Sequence, residues 1–414
     1  MKMLKRKFIK KAFHNKIPTH WDIVNLSEVV FFQEGPGLRN WQFTKEGMKV
    51  INVTNLENGI LNLDKTDRHI SLREFQEKYK HFEVELNDIV MASSGATYCK
   101  TAIVREQDLP LMMNTSVIRF QPNDNLTLGY LKSFLGSSFF KDQIDFLITG
   151  GAQPNFGPVH LKQSYIPSPP LKEQQKIADI LSQWDEAIET TQNLINKLKF
   201  RKKGLMQELL TGKKRLAGFT EGWKKMNIGD VATQFTDKNK DDESIEVLSC
   251  TKYDGLVPSL EYFGRKVYGD DLSKYKIVPR NYFAYATNHI EEGSIGYQDI
   301  WDKGLVSPMY TVFKTNDSID DSFFFRLLKT ERMIYAYQSN MSGSIARRGG
   351  LRWNVFETLI VKIPSYIEQV AIANVFDKVD EEIDTASKHL ESLQQQKKGL
   401  MQQLLTGQKR VKTD

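Results

Sequence analysis

The chain has 414 residues, 40% hydrophobic and 11% aromatic, which is enough for two or three cored domains of roughly 150 residues each and too apolar for a disordered or fibrous chain. Its apolar runs are interrupted, as at Phe323-Phe324-Phe325-Arg326, and none reaches the roughly 18 to 20 residues that span a bilayer. The net charge of +6 is too mild to mark a nucleic-acid binder by itself, and two distant cysteines, Cys99 and Cys250, exclude a disulfide framework or a Cys-x-x-Cys zinc site and fit a reducing cytoplasm.

The first sixteen residues are basic (Lys2, Lys5, Arg6, Lys7, Lys10, Lys11 and Lys16) but lead into no apolar signal core, which predicts a chain that is not exported. From residue 17 to about 165, short β-like runs such as Asp88-Ile89-Val90-Met91 and Ser116-Val117-Ile118-Arg119-Phe120 mix with a predicted helix near Leu131 to Ile144. This stretch ends in a glycine-rich polar loop, Thr149-Gly150-Gly151-Ala152-Gln153-Pro154-Asn155-Phe156.

Beyond the prolines at 167, 169 and 170 the pattern changes. Apolar residues recur at Ile177, Leu181, Trp184, Ile188, Thr191, Ile195, Leu198, Leu205 and Leu209, with Lys202 in the one missing place. Steps of four and three give a period of 3.5, the signature of a helix made to pair with another. The helix is expected to stop at Gly212, where a glycine can turn left-handed, and some 38 residues predict a rod of about 57 Å. Ten basic residues against Glu208 and Glu221 lie between Lys197 and Lys225, a local positive field.

The stretch from 219 to about 362 again mixes short strands with a predicted helix near Phe323 to Ala336. Near its end lies a second glycine-rich loop, Ser342-Gly343-Ser344-Ile345-Ala346-Arg347-Arg348-Gly349-Gly350. A second heptad stripe follows at Ile372, Phe376, Val379, Ile383, Ala386, Leu390, Leu393, Leu400 and Leu404, with Lys397 at the same gap and Gly407 at the end.

The chain is therefore one unit written twice. Glu173 to Arg215 aligns without a gap on Glu368 to Arg410, with 21 of 43 residues identical at a constant offset of 195. Ile166-Pro167 recurs as Ile363-Pro364. The openings recur too, Trp21, Asn25, Leu26, Glu28 and Val29 as Trp223, Asn227, Ile228, Asp230 and Val231. Two copies do not make a solenoid. The expected fold is α+β: two globular α/β-mixed domains separated by two long helices that form an antiparallel coiled coil with pseudo-twofold symmetry. The expected boundaries are 1–165, 166–216, 217–362 and 363–414.

Chemistry is not readable anywhere. There is no phosphate-binding GxxxxGK[ST] loop, no Asn-Pro-Pro-aromatic or Asp-Pro-Pro-aromatic methyltransferase motif, and the seven histidines lack metal-ligand spacing. Asp185-Glu186-Ala187-Ile188 falls inside the heptad stripe and reads as solvated helix-face charge. No catalytic residue, metal or cofactor is expected. The glycine-rich loops carry instead the side chains that make paired hydrogen bonds to purines in the major groove, with Arg and Lys to neutralise phosphates. Gln153, Asn155, Arg347 and Arg348 are the first candidates for DNA contact, followed by Arg352, Asn288 and His289.

With these residues in view, the chain resembles the specificity (S) subunit of type I restriction-modification systems. The resemblance rests on the duplicated Glu-Gln-x-x-Ile-Ala segments (Glu173 to Ala178, Glu368 to Ala373), the Asp-Glu-x-Ile turns, the paired Lys-Lys-Gly-Leu-Met-Gln-x-Leu-Leu-Thr-Gly tails, the Trp-containing openings and the Gly-Gly-Ala-Gln-Pro-Asn-Phe loop. It implies a non-catalytic reader in which two target-recognition domains each take one half of a bipartite double-stranded DNA sequence and the helices set the spacing. It also implies partners: two methyltransferase (M) chains that bring S-adenosylmethionine, and restriction (R) chains in the full complex, all cytoplasmic. The basic N-terminal extension has no place in the family pattern. Two readings compete: a self-contained DNA methyltransferase or nuclease with an unrecognised site, which predicts methyl transfer or cleavage by the chain alone, and a coiled-coil scaffold without DNA binding.

Overall fold

A computed structural model of the chain describes residues 17–57, 59–148, 154–240, 245–341 and 350–413. The chain divides into two compact units. The first takes residues 1–192 and 388–414, the second Asn193–Ser387.

The first unit holds a four-stranded antiparallel sheet of β1 (Val30–Glu34), β2 (Ile89–Ala92), β3 (Thr101–Ile103) and β4 (Val117–Pro122) in the order β1-β4-β2-β3. Apolar residues run the length of β2, all four buried, because the sheet is covered on both faces. One face meets α1 (Leu128–Leu135) and α2 (Ser138–Leu147) in a core of Phe120, Tyr130, Phe134 and Phe140. The other carries a cluster around Ile51, Val90, Ala92 and Met113. Asp22–Asn25 pairs antiparallel with Tyr165–Ser168, so the ends of the globular part are stitched together before α3 (Leu171–Leu209) begins.

The second unit repeats this plan. Its sheet of β5 (Ala232–Phe235), β6 (Tyr282–Ala286), β7 (Ile295–Gln298) and β8 (Tyr310–Thr315) has the matching order β5-β8-β6-β7. α4 (Asp321–Leu328) and α5 (Glu331–Asn340) cover it through an aromatic core in which Phe283 and Phe313 stack at 4.9 Å. Lys224–Asn227 pairs with Ile360–Ile363 just ahead of α6 (Tyr366–Leu405).

The single helices expected near Leu131–Ile144 and Phe323–Ala336 are each two helices. Gly136 ends α1, and the Ser137 hydroxyl caps α2 by accepting the Phe140 N–H at 3.3 Å. Thr330 does the same for α5 through the Met333 N–H at 3.4 Å. An amphipathic period runs on across such a break, whereas the cap residues interrupt the backbone ladder.

The heptad stripes become the two longest helices, of 39 and 40 residues. Each ends short of a glycine with positive φ, Gly212 at 69° and Gly407 at 67°. Within the first unit the start of α3 lies against the end of α6: Asp185 takes Lys397, and further back Glu173 accepts from Arg410 at 2.9 Å. Residue numbers rise along one helix as they fall along the other, so the pairing is antiparallel. Within the second unit the roles exchange. Lys202 pairs with Asp380 and Arg215 donates to Glu368 at 2.7 Å, again antiparallel. The lysine that breaks each stripe thus meets the aspartate of the other copy's Asp-Glu-x-Ile turn, and Asp185 is an interhelical partner rather than solvated face charge.

The Glu-Gln pair that opens each repeat joins helix to globular part. In the first unit Gln174 accepts the Thr127 N–H at 2.8 Å and donates to Asn125 O at 3.0 Å and Pro169 O at 2.9 Å. Gln369 repeats all three bonds, with Asp320 N–H at 2.9 Å, Ser318 O at 3.0 Å and Pro364 O at 3.2 Å. Thr127 and Asp320 are the N-caps of α1 and α4. Each glutamine therefore fixes the first turn of a globular-part helix to the first turn of a long helix.

Candidate nucleic-acid interface

In the first unit, β2 runs to the sheet's edge at Ala92 and the chain leaves it through Ser93 to Lys100 before returning as β3. This exit loop is held by its backbone. Ser93 donates its N–H to Ser116 O at 2.8 Å, Cys99 donates to Ala92 O at 2.8 Å, and Gly95 and Cys99 take positive φ of 81° and 65°. The residues that follow the first glycine-rich loop lie alongside. Phe156 donates its N–H to Ser93 O at 3.0 Å, Gly95 donates to Pro154 O at 3.2 Å, and Ser94 and Asn155 form a β-bridge.

The second unit builds the same junction from different side chains. β6 exits at Ala286 into Thr287, Asn288 and His289, and Leu351 donates its N–H to Thr287 O at 2.8 Å. Phe156 and Leu351, both fully buried, stand at equivalent places and fix the chain just after each glycine-rich loop. A side chain at Gly350 would put its Cβ 3.1 Å from Thr287 O, a tight contact that the Thr287 backbone would have to ease by a few tenths of an ångström.

The sequence candidates divide accordingly. Gln153, Arg347 and Arg348 lie outside the described residues. Asn155 is exposed and pinned by its backbone, and its amide has no hydrogen bond with another described residue. The second-unit junction brings Asn288, partly buried, near the exposed Arg352, through the Leu351 to Thr287 bond between them. Neither side chain has a hydrogen bond or ion pair with another described residue. His289 pairs with Glu292 at 3.8 Å, and with Glu291 it forms a group whose potential metal-ligand atoms lie within 4.8 Å of one another.

Sequence reasoning reached the second exit loop through Asn288 and His289 but missed the first. Ser93 and Ser94 lack the bidentate groups that drew attention to Gln, Asn and Arg. Nor did it find how the first loop is braced: Tyr98 donates to Asp145, and Lys141 lies over its ring at 4.4 Å while pairing with Asp145 at 2.7 Å. The hydrogen bond to the Asp145 carboxylate holds the Tyr98 hydroxyl above the usual phenol range.

A basic cleft lies beside the first junction, and a second lies at a helical turn of the second unit. In the first unit the cleft encloses about 820 Å³ between the α1–α2 turn and the helical pair, with Lys100, Lys141, Lys397 and Lys398 on its walls. In the second, a cleft of about 440 Å³ has Lys203, Lys213, Lys329 and Arg332 around the α4–α5 turn. Burial holds the Lys329 ammonium below its ordinary range. Such concavities suit phosphates or an acidic partner surface.

The thiols are not nucleophiles. Burial pushes both Cys99 and Cys250 up to about 12, leaving about one thiolate in ten thousand at pH 8. Titration with an aromatic disulfide at pH 8 is expected to find almost no fast-reacting thiol in the folded chain and both after denaturation; a fast native phase would contradict the burial.

The family described as type I restriction modification DNA specificity domain matches this chain twice, at residues 18–199 and 220–395. The chain belongs to that family. It is a specificity subunit with two such domains, a class that selects DNA sequence and leaves catalysis to other chains. The putative type I restriction enzyme MjaX specificity subunit of Methanocaldococcus jannaschii is 23% identical over all of this chain and 99% of its own length. The MjaVIII specificity subunit of the same organism is 28% identical over 52% of this chain, and the match spans about half, 53%, of that relative. In fold, the chain is similar to the crystal structure of a type I S subunit from M. genitalium, with a TM-score of 0.54 and 17% identity over 94% of this chain and 96% of that one. It is also similar to a chain from a structural study of complex assembly and conformational transition in the type I R-M system, with a TM-score of 0.59 and 14% identity over 94% and 98%. Among the described residues no helix is long and apolar enough to cross a membrane.

Proposed function

We propose that this specificity subunit reads a bipartite double-stranded DNA target, one half through each recognition domain, and that it does so in the cytoplasm while docked to two methyltransferase chains, with restriction chains added in the full complex. The recognition domains are residues 1–165 and 217–362, and the helical regions 166–216 and 363–414 hold the partners and set the unread gap. Gln153, Asn155, Arg347, Arg348, Arg352 and Asn288 are the candidate contacts. The observation that carries this reading is the repeated junction of exit loop and post-glycine segment, in which the bond from Phe156 N–H to Ser93 O recurs as Leu351 N–H to Thr287 O while the side chains differ. A common frame presenting unlike groups suits two readers of unlike sequences.

Methylome sequencing of cells carrying the chain with its methyltransferase partner tests the proposal. The expected pattern is two short defined sequences around a gap of fixed length and no defined bases. Exchanging residues 17–165 for another reader is expected to change one half and leave the other intact. A continuous target, or both halves changing together, refutes the division of labour. Methyl transfer by the purified chain alone would favour the self-contained enzyme instead.

A further inference from the structure

Tryptophan is the side chain that gains most from leaving water, yet Trp41 is 79% exposed. Its position is not the result of slack in the chain. The turn from Gly35 to Gly47 is fixed at both ends: a Cβ at Gly35 would fall 2.2 Å from Asn114 O, and one at Gly47, where φ is 132°, would fall 2.0 Å from Ile70 O. Between them, buried Gln42 accepts the Arg39 N–H at 2.8 Å and donates to Glu74 at 2.7 Å and Tyr79 at 3.0 Å. The residue next to Trp41 is thus locked inward while the indole is held outward.

The surroundings of the indole say what it meets. Arg39, Asn40 and Lys45 are exposed on the same turn, and exposed Arg68 lies over the ring of Phe43 at 4.9 Å. None of the three cations has an ion-pair partner among the described residues. Glu46 is the one acid on the turn, and nearby Asp67 is already paired with Lys49 at 2.7 Å. A rigid aromatic ring among unpaired cations is complementary to a polyanion with stackable or wedge-accepting edges, and less so to a protein surface, where a hot-spot aromatic sits in a core depleted of lysine.

We propose that the Gly35–Gly47 turn is a duplex-DNA contact of the first recognition domain, in which Trp41 packs against a base or sugar edge and Arg39, Lys45 and Arg68 take flanking phosphates. The inference rests on the DNA-reading function proposed above and adds an element outside the glycine-rich loops. The corresponding stretch of the second domain, Thr236 to Val247, carries no aromatic residue, so the contact belongs to one half of the target.

The test uses the full chain assembled with its methyltransferase partner and a duplex bearing the sequence found methylated in cells. Trp41→Ala is expected to weaken binding by about 10-fold or more, and Trp41→Phe to retain most of it, since base–aromatic contacts are worth about 5- to 150-fold on truncation. The double variant Arg39→Ala, Arg68→Ala is expected to flatten the slope of log affinity against log salt by about 2, at about 0.9 per phosphate contact. Binding of the methyltransferase, read by light scattering on the eluting complex, is expected to stay unchanged. Wild-type affinity and salt slope in these variants overturn the proposal, as does loss of methyltransferase binding, which would make the turn a protein interface. If instead the wild-type complex bound no duplex specifically, the DNA-reading function itself would fail.

Discussion

Replacing Gln369 by leucine is expected to lower the unfolding temperature of the second unit by about 6–36 °C, the largest effect expected of any single substitution at a non-core position. The side chain is 1% exposed and makes three hydrogen bonds to backbone groups, the Asp320 N–H and the Ser318 and Pro364 carbonyls. Leucine fills similar space but pairs with none of them, and each buried group left unpaired costs about 1–3 kcal/mol. Three such groups give roughly 3–9 kcal/mol, and a unit of 150–250 residues loses about 2–4 °C per kcal/mol. The consequence reaches beyond stability, because Asp320 is the N-cap of α4. Releasing it frees the first turn of the helix that covers the recognition sheet. Differential scanning calorimetry checks the prediction, with Asn374→Leu on the exposed face of α6 in the same unit as the control. A shift as small as the control's would mean that the glutamine is not the clamp. Gln174→Leu is expected to act alike on the first unit, where the same three bonds recur.

These glutamines also mark a limit of sequence reading. The duplication singles out Glu173-Gln174 and Glu368-Gln369, yet nothing local says what a repeated glutamine does, because its partners lie about fifty residues away in the chain. The long helices are different. Their 3.5-residue stripes, flanking prolines and terminal glycines are all local signals, and the helices run Leu171–Leu209 and Tyr366–Leu405 as those signals indicate. Lys202 and Lys397 stand between the two cases. The break they make in each stripe is visible, but reading them as register-setting charges requires placing Asp380 and Asp185 opposite them, and both aspartates were instead assigned to solvent. A repeated lysine and a repeated aspartate in two copies of one helix are complementary only if the copies run antiparallel, so the pair carried evidence for direction that local reasoning left unused.

The globular parts were legible in class and not in order. Strands of four to six residues with buried faces announce β-structure, as Ile89–Ala92 does, whereas the order β1-β4-β2-β3 depends on pairings across some ten to ninety residues. The first exit loop became visible only through those pairings. Trp41 illustrates the opposite failure. Aromatic residues are ordinarily taken for core, and only the lock on Gln42 reveals that this one faces outward.

Lengthening both long helices by one heptad is expected to widen the unread gap of the target while leaving both half-sequences as they are. The insertion points matter. Seven residues placed after Gln192 in α3 and seven after Ser387 in α6 fall at the borders of the two compact units. The pairs inside the first unit, Asp185 with Lys397 and Glu173 with Arg410, and those inside the second, Lys202 with Asp380 and Arg215 with Glu368, then keep their neighbours. Seven residues also preserve the 3.5-residue stripe, which four or five would rotate out of register. A heptad rises about 10.5 Å, and base pairs are spaced by 3.4 Å, so the gap can grow by at most about three base pairs. Inserting the heptad in one helix alone leaves it without a lengthened mate and is expected to abolish methylation rather than move it. Sequencing the methylated sites of both variants separates the outcomes. Retained methylation with an unchanged gap in the double insertion would mean that something other than helix length fixes the spacing.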